Sequence, residues 1–81
     1  MPKMPLQSVK QIGTSVRETR KRLRMTQNEL ALVSGVGLRF IHDLERGKPT
    51  IRLEPTLRVL AALGIQLEVD PPGAGIQNGE S

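Results

Sequence analysis

Apolar positions between Ser8 and Gly64 recur at steps of three and four, the interval that lines up one face of a helix. Val9, Ile12, Val16 and Leu23 form a first stripe with Ser8 placed to cap it, and they predict a helix over roughly 9–23. Thr26 followed by Glu29 has the spacing of a capping box, in which hydroxyl and carboxylate each accept from the other residue's backbone amide. A second helix therefore starts at Gln27, and Gly35 suits the left-handed turn that ends it near Ser34. A third runs from about Gly37 to Arg46 and is stopped by Gly47 and Pro49. The fourth is centred on Leu53, Leu57, Leu60 and Leu63, with Pro55 in its first turn, where no amide hydrogen is needed, and Gly64 at its close. IQLEV, residues 65–69, then alternates apolar and polar with β-branched ends, the pattern of a strand. It is the single strand the pattern predicts.

The two ends lack such periodicity. Residues 1–7 hold two prolines and read as a flexible arm. From Asp70 the chain continues as DPPGAGIQNGES, too poor in apolar residues to repay the entropy of ordering, so 71–81 reads as a disordered tail and 8–70 as one folded domain. A domain of this size buries only about 60% of its unfolded surface, which makes self-association expected.

Composition narrows the function. The net charge is +4, and residues 16–24, VRETRKRLR, carry five basic residues against one glutamate, a stripe that favours polyanions. Without cysteine there is neither a disulfide framework nor a thiolate metal site. The amino terminus has no apolar core of signal-peptide length, and the longest apolar run, VLAALGI at 59–65, is far too short to span a bilayer. The reading is an intracellular, cytoplasmic protein without membrane contact. No Ser-His-Asp set, phosphate-cradling glycine loop or carboxylate cluster argues for an enzyme, and no cofactor is implied.

Residues 26–48, TQNELALVSGVGLRFIHDLERGK, fit two short helices joined through a glycine turn, the helix-turn-helix layout whose second helix enters the DNA major groove. Leu30, Ala31, Val36, Ile41 and Leu44 supply the inner faces. Leu38, Arg39, His42 and Asp43 remain as an outward row suited to reading bases, since arginine can donate two bonds to guanine and an apolar side chain can meet the thymine methyl. Asp43, four residues after Arg39, either orients that guanidinium or accepts from a cytosine amino group. Phe40 is open between packing and a thymine-methyl contact, and lone His42 has no metal-ligand spacing around it, so no metal site is expected. Arg46 and Lys48, flanking Gly47, are candidates for phosphate contact, whereas Arg17, Lys21 and Arg22 are open between phosphate contact and plain solvation.

The recurring T-Q-x-x-L-A, G-V and I-x-x-L-E of this stretch resemble the XRE family of phage-repressor-like DNA-binding domains, and IRLEPTLRVLAALGIQLEV extends the resemblance toward HipB-type antitoxins over residues 8–69. The resemblance implies an all-α, lambda-repressor-like domain of four to five helices with a short C-terminal strand, paired across a dimer. It also implies a repressor of its own operon, partnered by a HipA-type kinase toxin; a stand-alone regulator or a protein adaptor are the alternatives. By the same resemblance Gln27 bonds a backbone phosphate from its helix terminus, and Arg20 and Glu45 form a structural ion pair between the first and third helices. The family often has glutamine, serine or threonine where this chain has Leu38 and Arg39, so the operator sequence does not carry over. The strand, for which the sequence pattern offers no partner in its own chain, should pair antiparallel with a second copy through Ile65, Leu67 and Val69, placing two third helices for an inverted-repeat operator in double-stranded DNA.

Overall fold

Ser8 sits in an extended conformation, and its hydroxyl accepts from the Gln11 amide at 3.1 Å, which opens the first helix, α1 (Val9–Arg22). The computed structural model describes the backbone of residues 3–5 and all of residues 8–68. Thr26 and Glu29 form the expected capping box, with bonds of 3.0 and 2.8 Å, and start α2 (Gln27–Ser34). After the three-residue link Gly35–Gly37 come α3 (Leu38–Glu45), a loop, α4 (Leu53–Ala62) and the strand β2 (Gln66–Glu68), while β1 (Lys3–Pro5) precedes them all. Each helix ends with a paired backbone closure in which the residue past the last turn turns left-handed. Glycines fill that position after α2, α3 and α4; after α1 it is Arg24, at φ 59°.

The core is built where α1 crosses α3 and where α2 packs on both α3 and α4. Ile12 and Val16 meet Leu30, Ala31, Ile41 and Leu44, and Val59, Leu60, Leu63 and Ile65 close the other side. Val36, Phe40 and Leu67 pack against this cluster while half-buried. Arg58 braces the helix-turn-helix from α4, donating to the Gly35 carbonyl at 3.0 Å.

Two apolar stripes differ from expectation. Leu23 is 53% exposed, because α1 ends one residue before it and the buried face continues from Val16 to Arg20 instead. On α4 the buried line runs through Thr56, Val59, Leu60 and Leu63, and at about 100° per residue Leu53 and Leu57 fall to one side of it. They are 64% and 45% exposed.

The strand also differs. β2 pairs in parallel with β1 of the same chain, Lys3 opposite Gln66 and Pro5 opposite Glu68, so it is neither the single strand nor unpartnered. Backbone groups make that ladder, and a three-residue segment can supply them without any side-chain alternation. Ile65, at 6% exposure, is buried in the core with Leu60 and Leu63 of α4 and its closing turn. The expectations for Val69, Asp70 and the tail 71–81 lie outside the described residues.

Candidate nucleic-acid interface

The interface begins with an ion pair inside the fold. Arg20 donates from Nε to Glu45 Oε2 at 2.6 Å and from Nη2 to Oε1 at 3.0 Å, while its Nη1 donates to the Met25 carbonyl at 2.8 Å. Their side chains are only 10% and 3% exposed. The hydrogen bonds that Arg20 donates to Glu45 raise the Arg20 pKa above its ordinary value, with burial opposing and the carboxylate charge adding to the effect. Glu45 Oε1 also accepts from Gln27 Nε2 at 3.1 Å. One carboxylate thus locks α1 to α3 and aims the side chain at the start of α2, where the first-turn amides have no partner within the helix.

Above this lock lies an open cleft of about 440 Å³ lined by Arg17, Gln27, Arg39, His42, Glu45 and Arg46. Three arginines from two helices and the loop end of α3 converge on it, together with the oriented Gln27 amide. Arg17 is one of three residues, with Lys21 and Arg22, whose role the sequence leaves open; its signal is its position one turn before Arg20, on the side of α1 that faces α3. Lys21 and Arg22, by contrast, are exposed and line neither of the cavities described here. A second cavity, of about 430 Å³, lies on the far side of Arg39, between Phe40, Asp43, Lys48 and the Thr50–Arg52 segment.

The outward row of α3 is shorter than its spacing suggests. Arg39 stands out with its side chain 80% exposed, and Leu38 is partly exposed at 37%. His42 is half-buried on the cleft wall. Asp43 does not stand in the row: it is buried at 9% exposure, since the helix turns it toward the loop that follows. Its Oδ1 faces Arg39 Nε at 3.5 Å and Arg46 Nη2 at 2.9 Å, and its Oδ2 faces Lys48 Nζ at 3.6 Å. Burial pushes its carboxyl upward, but the Arg46 hydrogen bond and the charges of Lys48 and Arg39 outweigh it and hold the pKa below the usual value. Phe40 is half-buried and packs against the core.

One glycine was not singled out from sequence. Gly13 lies where α1 crosses α3, and a Cβ there would run into the Leu44 carbonyl oxygen and come within 3.2 Å of the Glu45 carbonyl. Its absence of a side chain sets how closely α3 approaches α1, and so the position of Glu45.

Residues 16–69 match the protein family described as Helix-turn-helix. The chain belongs to the helix-turn-helix family. It is also 52% identical over 62 residues to a protein of Sinorhizobium fredii named "Uncharacterized HTH-type transcriptional regulator y4mF", over 76% of this chain and 82% of that protein. The family match takes in the whole lock and cleft, from Arg17 through Arg46, and extends through β2. Among the described residues there is no group of three or more potential metal ligands, and no helix is long and apolar enough to cross a membrane.

Proposed function

We propose that this helix-turn-helix protein is a sequence-specific transcriptional repressor that reads an inverted-repeat operator in double-stranded DNA. The observation that carries the reading is the placing of exposed Arg39 at the forward edge of α3, directly beside a cleft walled by Arg17, Arg46 and the Gln27 amide. In this reading Leu38, Arg39 and His42 face base edges in the major groove, with Asp43 behind them. Arg17, Gln27, Arg46 and Lys48 take backbone phosphates on either side. The family's members in general, and the regulator name of the Sinorhizobium relative, point the same way.

The working unit is a cytoplasmic homodimer. Among the described residues β1 pairs with one edge of β2, and the other edge takes the antiparallel pairing with the second copy, with half-buried Leu67 on that strand. The operon is its own, and the partner is a HipA-type kinase toxin, on the strength of the resemblance across residues 8–69. Sequencing the DNA that adjoins the gene tests that partnership: an adjacent HipA-like reading frame supports it, and none leaves a stand-alone regulator.

DNA binding is tested by gel shift of the protein's own promoter fragment across a salt series. Three phosphate-binding cations per subunit, Arg17, Arg46 and Lys48, predict a slope of log affinity against log salt of about −5 for a dimer. A protein adaptor would shift neither promoter nor random DNA.

A further inference from the structure

Asp43 is an expensive residue for its place. It lies near the C-terminal end of α3, where the helix dipole disfavours a negative charge, and on an element that the proposed function brings close to phosphates. What offsets this is a division of its two oxygens. Oδ1 takes both arginines, one from the preceding turn of α3 and one just past its end, and Oδ2 takes the lysine beyond Gly47. The main chain repeats the link, since the Lys48 amide donates to the Asp43 carbonyl at 3.0 Å. Three cations that would repel one another are thereby gathered round a carboxylate whose own side chain is only 13% exposed.

We infer that Asp43 is a positioning residue for DNA recognition: it does not touch DNA, but sets the Arg39 guanidinium for end-on reading of a guanine and offsets part of the charge of Arg46 and Lys48. The inference rests on the DNA-binding reading above and deepens it. With Nε 3.5 Å from Asp43 Oδ1 and the side chain 80% exposed, that contact does not occupy the two terminal nitrogens of Arg39, the pair that matches guanine O6 and N7. The same carboxylate leaves a net cationic surface, because one negative charge stands against three positive ones. Selectivity and general attraction are therefore separable at this residue. Removing the charge should loosen the first and strengthen the second.

The test begins with wild-type protein selecting sites from a random DNA pool. Failure to enrich any sequence would overturn the DNA-reading proposal itself, and this one with it, before any variant is made. With a site in hand, Asp43→Asn should lower the ratio of cognate to random affinity about tenfold, while random-DNA binding stays equal or tightens and its salt slope steepens. In an Arg39→Ala background the same substitution should cause no further loss at the base pair Arg39 reads, and Asp43→Glu should restore part of the ratio. A loss confined to a different base pair and independent of Arg39→Ala would show that Asp43 reads a base directly and overturn the inference. An equal fall on cognate and random DNA would make Asp43 merely structural, with the same result. If Asp43→Asn does not fold, nitrogen relaxation on the DNA-free wild type decides: Arg39 and Arg46 Nε should be restrained relative to exposed Arg22, and equal mobility of all three overturns the inference.

Discussion

Arg20 of α1 and Glu45 of α3 are joined by two parallel hydrogen bonds, 2.6 and 3.0 Å long, at the one point where both helices and the start of α2 come together. The planar guanidinium fits the carboxylate fork, which lysine cannot reproduce. Breaking a buried pair of this kind costs about 3–5 kcal/mol, because the remaining charge is stranded. Thermal unfolding of Arg20→Ala should therefore show a large drop in Tm, and Arg20→Lys should recover only part of it. Arg22→Ala, on the exposed side of α1, should change stability by less than about 0.5 kcal/mol. Similar melting temperatures for Arg20→Ala and Arg22→Ala would remove the pair from the stability of the fold.

Gly13 and Arg24 predict opposite signs. Alanine normally stabilises a helix relative to glycine, but at Gly13 the new Cβ meets the α3 backbone, which cannot swing aside as a side chain could. Gly13→Ala should destabilise by about 1–3 kcal/mol, as overpacking does. At Arg24 the left-handed conformation strains a residue with a Cβ, so Arg24→Gly should stabilise by about 1 kcal/mol. Urea titration of both variants measures the two shifts.

Arg39 and Lys48 separate reading from clamping. Arg39→Ala should cost about 1–3 kcal/mol on the cognate operator and little on random DNA, whereas Lys48→Ala should weaken both alike. Fluorescence anisotropy against the two DNAs gives all four numbers. A uniform loss for Arg39→Ala would reassign it to the phosphate backbone.

The depressed pKa of Asp43 sets a direction for acid stability. Its folded-state carboxyl, held down by Arg46, Lys48 and Arg39 against the opposing effect of burial, ionises below the unfolded one. The stability it contributes is therefore present above the unfolded value of about 3.9 and is lost as pH falls from there through the folded value. Asp43→Asn should remove this component, so the gap in Tm between wild type and variant should be widest above about pH 4 and narrow on acidification. A gap independent of pH would show that the carboxylate charge adds nothing to the folded state.

Alternate residues along a strand turn their amides to opposite edges, so Gln66→Pro and Leu67→Pro probe the two sides of β2 separately. Sedimentation at micromolar protein should show a dimer for wild type, loss of the dimer for one substitution, and a dimer with a loosened β1 for the other. Dimers in both variants would place the contact between copies elsewhere, with the exposed Leu53 and Leu57 of α4 as the next face to substitute.

Local chemistry made much of this protein legible in its residues. Capping at Ser8 and Thr26, the glycine turn at Gly35 and Pro55 in a first turn act over four residues or fewer, and α2 falls between Gln27 and Ser34 as its capping box and glycine indicate. The inner faces of α2 and α3 were equally readable, since apolar spacing and burial follow one period there. Other features depend on which distant segments meet. Only the α1–α3 crossing makes Gly13 indispensable and gives Arg17 a cleft to line, and only the return of the chain after Gly47 turns Asp43 from an outward acid into the centre of three cations. The pairing of β1 with β2 was hidden for a related reason: its bonds run between backbone groups that every residue type but proline carries in full, so side-chain pattern cannot announce the partner, and the tertiary fold alone brings the two segments side by side.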